Sequence, residues 1–182
     1  MNTSANIANI ITLAGLAAIA YMLHRKNGSD DPSTIDVSPT TPTTYPNPNG
    51  ASRGLRNNNP LNIEYSKNTI WQGEIRPSSD PRFAQFESLP YGYRAAFRTL
   101  NTYMTKYGLS TLTEIISRWD NAGRVPYINF ICEKTGWSPT KAFTPSDHID
   151  LVKLVYNMSW LENGVKPSLF EVNDGWKLYQ TV

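Results

Sequence analysis

One carboxyl group in this sequence stands apart by its surroundings. Glu162 closes a long apolar stretch and is followed by Asn163-Gly164. Desolvation beside Trp160 and Leu161 disfavours its charged form, and the negative end of a helix disfavours it again. No Lys or Arg lies within the four residues before it. All three effects push its pKa upward. A carboxylic acid that keeps its proton near neutral pH is what a general acid for glycosidic cleavage requires. The plain alternative is a residue that caps an exposed helix end and does nothing more. Glycosidic chemistry commonly adds a second carboxylate at a set separation. Glu64, Glu74 and Asp80 are the candidates, with Glu87 beside them, although each also reads as a solvated loop charge. Tyr65, Trp71, Tyr91 and Tyr93 can stack on sugar faces. Asn57, Asn58, Asn59 and Asn62 can hydrogen-bond acetamido and hydroxyl groups, or simply build turns.

Composition narrows the alternatives. A single Cys rules out an intramolecular disulfide framework. Two histidines, His24 and His148, cannot form a His-rich zinc site, and no Cys cluster replaces them. Cys132 falls in an apolar helical run and reads as a small core residue, not as half of a thiol dyad with His148. A net charge of +2 argues against bulk binding of nucleic acid. There is no GxxxxGK[ST] and no GxGxxG to cradle a phosphate. No metal and no cofactor is expected.

The elements that would position Glu162 follow from periodicity. Phe97, Leu100, Met104 and Tyr107 repeat at helical spacing, and Gly108 stops them. Thr111 and Glu114 form a capping box for a helix through Leu112, Ile115, Ile116 and Trp119. Pro126 starts a third helix, ended by Gly136. Thr144, Pro145 and Asp147 open a fourth, running from about Pro145 to Glu162. Its apolar residues lie nearly all round, which places it in the middle of the domain. The tail from Lys166 to Val182 is a further short packed element. Between Arg53 and Leu89, Asn, Pro and Gly punctuate brief β-prone runs, which predicts loops with a small hairpin or sheet.

The chain divides into three zones. Residues 1–26 carry the apolar run Ile7–Leu23, which has no charged residue. As a helix it spans roughly 25 Å, the short end of what a bilayer needs. His24, Arg25 and Lys26 follow and suit a headgroup region. A retained membrane anchor is the expectation; a cleaved signal peptide lacks its basic start here, and a buried core helix is the other alternative. Residues 27–52 are rich in Pro, Thr, Ser, Asn and Asp and offer little to bury, so a disordered tether is expected. Residues 53–182 hold all five Trp and form one globular domain.

A resemblance sharpens this reading. Arg53-Gly-Leu-Arg-Asn-Asn-Asn-Pro-Leu-Asn-Ile63 resembles the RG[IL]RNNNPGNI signature of phage-encoded, virion-associated peptidoglycan-degrading proteins, described as virion proteins, endolysins or lytic transglycosylases. The likeness continues through Trp71-Gln-Gly73, Asp80-Pro-Arg-Phe-Ala-Gln-Phe86, Gly92-Tyr-Arg-Ala95 and Glu162-Asn-Gly164. It covers nearly all of 53–182 and none of the anchor or tether. Leu61 departs from the pattern, where the family usually has Gly. The resemblance implies an α+β, lysozyme-like fold, mainly helical with a small β-hairpin or sheet. Bacterial glucosaminidases and transglycosylases have a helix ending in Glu-Ser-Gly followed by an NxxGI-type strand. Here the pieces come in reverse order, which implies a circular permutation with Glu162 as the acid.

The sequence-based expectation is thus a single-pass, membrane-anchored phage virion enzyme cleaving the β-1,4 bond of peptidoglycan, as a lytic transglycosylase or muramidase. Its expected partners are peptidoglycan, a lipid membrane and other virion proteins, with no nucleic acid. A host-membrane lysis factor is a rival location, although Arg25 and Lys26 would then draw the domain to the cytoplasmic side. The rival function is a non-catalytic virion module that uses the same fold to bind the wall.

Overall fold

A computed structural model describes residues 51–181. The expected anchor and nearly all of the expected tether lie outside the described residues. Among the described residues, no helix is long and apolar enough to cross a membrane. Ala51 already packs against the core, and Ser52 starts the first helix.

Six helices make up the described part: α1 (Arg53–Arg56), α2 (Leu89–Tyr107), α3 (Leu112–Trp119), α4 (Arg124–Thr135), α5 (His148–Asn163) and α6 (Leu169–Gln180). The α+β, lysozyme-like class with a hairpin or sheet is corrected by this arrangement. Among the described residues there is no strand, only the isolated antiparallel bridges Glu64–Phe83, Glu74–Phe86 and Thr111–Ala142. The physical reason lies in the residues between α1 and α2. Asn58 and Asn62 adopt positive φ of 49° and 50°, which turns the chain at each and prevents an extended run. Pro60, Pro77 and Pro81 withhold backbone donors. Side chains then do what a ladder would have done. Buried Asn59 donates to the carbonyls of Ile63 and Ala84, both at 2.8 Å, and accepts the Ile63 N–H at 2.9 Å.

The helices form largely where periodicity places them. Leu89, Tyr93, Ala96, Phe97 and Leu100 line the buried face of α2, and Gly108 ends it in the left-handed conformation. The capping box of α3 is present, with Glu114 Oε2 accepting the Thr111 N–H at 2.9 Å. α4 starts two residues before Pro126, which sits in the first turn where its missing N–H costs nothing. α5 starts at His148 instead of Pro145. The Thr144 N–H donates to Asp147 Oδ2 at 2.6 Å, which closes a separate turn ahead of the helix. α5 buries Leu151, Val152, Leu154, Val155, Met158 and Leu161. α6 is a full helix packed along α2, with Trp176 edge-on to Phe97 at 5.1 Å.

Two close approaches fix the centre. A Cβ on Gly175 of α6 would lie 2.3 Å from Tyr93 Cβ of α2. A Cβ on Gly92 would lie 2.1 Å from the carbonyl oxygen of Asn58. The second contact seats the Asn-rich turn on the start of α2. Backbone on both sides leaves no room to yield, so Gly92→Ala is expected to cost about 1–3 kcal/mol or more. Urea unfolding of the parent and the variant measures it.

Candidate active site at the end of α5

Glu162 lies in the last turn of α5, one residue before the helix ends and two before left-handed Gly164. Two donors hold its carboxyl. Asn62 Nδ2 donates to Oε2 at 3.0 Å, and the Tyr127 hydroxyl of α4 donates to Oε1 at 3.3 Å. The next residue locks the frame. Asn163 Nδ2 donates to the Pro60 carbonyl at 2.7 Å and to the Ser159 carbonyl at 2.8 Å. Its Oδ1 accepts the Ser52 hydroxyl at 2.5 Å. α1 lies directly above this knot. A Cβ on Gly54 would stand 2.7 Å from Asn163 Oδ1, 2.9 Å from the Asn59 carbonyl and 3.1 Å from Asn62 Oδ1. The glycine of Arg53-Gly-Leu-Arg is therefore required by packing.

The electrostatics of the carboxyl follow from this enclosure. Glu162 keeps part of its surface open, yet protein surrounds it densely enough to strip most of its solvation. Burial is the largest effect and pushes its pKa up to about 6. The donors Asn62 and Tyr127 pull the other way, as does the Trp119 indole, while the charge of Asp120 pushes it further up. Burial, with Glu162 beside it, in turn raises the Tyr127 hydroxyl well above its ordinary range.

Of the residues singled out by sequence, only Asn62 touches Glu162. Asn57 donates to Asp80 at 2.8 Å, and Asn58 to the Phe86 carbonyl at 3.0 Å. Asn59 is fully buried and spends its amide on backbone. Tyr93 is fully buried with its hydroxyl 3.1 Å from Ser159, so it offers no face to a sugar. Tyr65 lies under the Arg76 guanidinium, 4.7 Å from its ring centroid. Trp71 and Tyr91 are half-buried, with Tyr91 seated against Gly73.

The three sequence-based second carboxylates are each matched to a cation. Glu64 pairs with Arg82 at 2.8 Å on the surface. Glu74 is buried, pairs with Arg76 at 3.0 Å and accepts the Trp71 N–H at 2.9 Å. Asp80 binds Arg53 through both oxygens at 2.6 Å. The Arg53 bond, with the Phe83 and Arg82 N–H groups and Asn57, holds its carboxyl far below the usual carboxylate range. Asp80 is thus the hub of the turn region and an anion at any working pH.

What sequence reading missed is the set that does surround Glu162: Trp119 and Asp120 at the end of α3, and Tyr127 in the first turn of α4. No spacing signal marks this set, because its members come from separate elements. Among the described residues, no group of three or more His, Cys, Asp and Glu could hold a metal ion.

No family model matches the chain. Over 139 residues the chain is 37% identical to Protein P5 of Pseudoalteromonas phage PM2, a stretch covering 72% of this chain and 85% of that protein. The chain belongs to the family of that phage protein.

The raised carboxyl makes folding depend on pH. Between the ordinary value of 4.5 and about 6, the folded chain holds a proton that the unfolded chain releases. Stability therefore falls as pH rises through that window, by on the order of 2 kcal/mol in all. Glu162→Gln removes this slope. Relative to the parent, it is expected to gain up to about 2 kcal/mol between about pH 4 and about pH 8 in urea unfolding. Tyr127→Phe removes a donor to the charged form, and a carbon-13 NMR titration should place the Glu162 carboxyl above its parent value.

Proposed function

We propose that this chain is a phage virion enzyme that cleaves the β-1,4 glycosidic bond of peptidoglycan, with Glu162 as its general acid. The observation that carries the reading is the desolvated Glu162 carboxyl, raised to about 6 and gripped by Asn62 and Tyr127 while part of its surface stays open. Such a group holds a proton under mildly acidic to neutral conditions and can hand it to a leaving oxygen. The two donors stabilise the carboxylate left behind. The residues that resemble the wall-degrading signature, Arg53 to Ile63, reach this same carboxyl through Asn62, against which Gly54 packs.

In this reading Glu162 protonates the oxygen linking N-acetylmuramic acid to N-acetylglucosamine. Attack by water makes a muramidase; attack by the muramoyl 6-hydroxyl makes a lytic transglycosylase. The apolar run Ile7–Leu23 supports a place at the virion membrane, with the Pro- and Thr-rich stretch giving the domain reach toward the wall.

Muropeptide mass spectrometry of purified sacculi, incubated with the full-length chain and with Glu162→Gln, tests the proposal. The parent is expected to release products, anhydromuramoyl or reducing-ended. The variant is expected to lose about 10²–10⁴-fold in rate. Parent activity should fall as pH rises past about 6, because the acid must be protonated. Products that persist in the variant would move the acid elsewhere. Binding to sacculi with no products from the parent would instead establish the non-catalytic wall-binding module.

A further inference from the structure

We propose that Asp120 is the second carboxylate of this site, the group that takes a proton from the attacking hydroxyl while Glu162 gives one to the leaving oxygen. The inference rests on the glycosidic reading above. The ion pairs of the described residues occupy Glu64, Glu74, Asp80, Glu133, Asp150 and Asp174. A carboxylate matched to a guanidinium or ammonium is a poor proton acceptor, because its partner favours the charged form. Glu114 and Asp147 are committed to the starts of α3 and α5. Asp120 has neither fate among the described residues.

Its geometry is that of an oriented base. Oδ1 accepts the Gly123 N–H at 2.9 Å, which fixes the carboxylate plane. Oδ2 takes part in no hydrogen bond among the described residues, and the side chain is half-buried. A Cβ on residue 123 would lie 2.5 Å from Oδ2, so glycine there keeps that oxygen clear. The same short connection reaches Glu162. The Gly123 carbonyl accepts the Tyr127 N–H at 3.2 Å, and the Tyr127 hydroxyl donates to Glu162. Two successive contacts through Gly123 thus link Asp120 to the residue that donates to Glu162. The charge of Asp120 acts on both Glu162 and Tyr127, and Trp119 beside it reaches Glu162 too. Paired glycosidic carboxyls work across roughly 5–9.5 Å, so they need to be neighbours without touching.

The step balances without an added reagent. Asp120 Oδ2 takes the proton of water or of the muramoyl 6-hydroxyl as that oxygen bonds to the anomeric carbon. The bond from that carbon to the leaving oxygen breaks, and the leaving oxygen receives the Glu162 proton. Asp120 ends protonated and Glu162 ionised, and exchange with solvent restores both.

The test uses the full-length chain in detergent, with Asp120→Asn, Asp120→Ala and Glu162→Gln, on isolated sacculi. Asp120→Asn keeps an acceptor for the Gly123 N–H and should retain the parent melting temperature. Its release of muropeptides is expected to drop about 10²–10⁴-fold. The high-pH limb of its residual activity should move to lower pH, because a negative charge near Glu162 is gone. Sodium formate, a small diffusible carboxylate, should restore part of the activity of Asp120→Ala and none to Glu162→Gln. Parent-level turnover by Asp120→Asn overturns the role of Asp120 and leaves the glycosidic reading standing. So does a loss with no formate rescue and an unmoved limb. Absence of turnover by the parent itself overturns the reading and this role together.

Discussion

The knot around Asn163 is the constraint on which the rest of the structure depends. One amide joins the end of α5 to the Pro60 carbonyl and to Ser52, more than a hundred residues earlier in the chain. The ends of two distant segments are thereby brought to one point, and that point is where Glu162 sits. A neutral hydrogen bond contributes only about 1 kcal/mol on balance. Its importance here is geometric: Asn62 can reach the Glu162 carboxyl only because the preceding turn is pinned. Gly54 completes the knot by leaving room for three oxygens where any side chain would collide.

The turn region shows how a segment without a sheet becomes rigid. Asp80 gathers Arg53, Asn57 and the N–H groups of Arg82 and Phe83. Asn59 gathers Ile63 and Ala84. Both hubs are short polar side chains that bond backbone locally, which favours turns over regular ladders. Charge assistance makes the Asp80 hub the stronger of the two, since a bidentate guanidinium pair is shielded on the carboxylate side. The asparagines thus hold the loop that presents Asn62, and of them Asn62 hydrogen-bonds the Glu162 carboxyl.

Much of this was legible in sequence, for stated reasons. Helical periodicity located α2, α3 and α4, with glycine stops at the ends of α2 and α4, because those signals are local. The Thr111–Glu114 box is local for the same reason. The carboxyl at Glu162 was legible because its shift comes mainly from burial, and burial follows from the apolar character of α5. The turn region misled because β-prone residues such as Ile63, Tyr65 and Phe83 follow the positive-φ Asn58 and Asn62, and turn conformation overrode propensity. The start of α5 was displaced because Thr144 and Asp147 close a turn of their own, the Asp147 carboxylate accepting the Thr144 N–H and the Thr144 carbonyl accepting the Asp147 N–H. Asp80 was a candidate second carboxylate, and the structure ties it to Arg53, a partner twenty-seven residues away. The neighbours of Glu162 were beyond reach because they come from α3 and α4, and tertiary proximity leaves no trace in spacing.

The protonation of Glu162 is set by opposition. Burial favours the neutral acid, and alone it would drive the carboxyl to hold its proton too firmly to donate. Asn62, Tyr127 and Trp119 favour the anion and bring the balance back to about 6. An acid must both carry a proton and release it within one turnover, so a value near working pH serves both halves. The neutral state also leaves a cost elsewhere. Asn62 turns its amide nitrogen to the carboxyl and leaves Oδ1 buried with no hydrogen-bond partner. An unpaired buried acceptor costs about 1–3 kcal/mol. A fold selected for stability alone would not place that orphan beside a desolvated carboxyl. Their coincidence lies at the point where the two ends of the domain are tied.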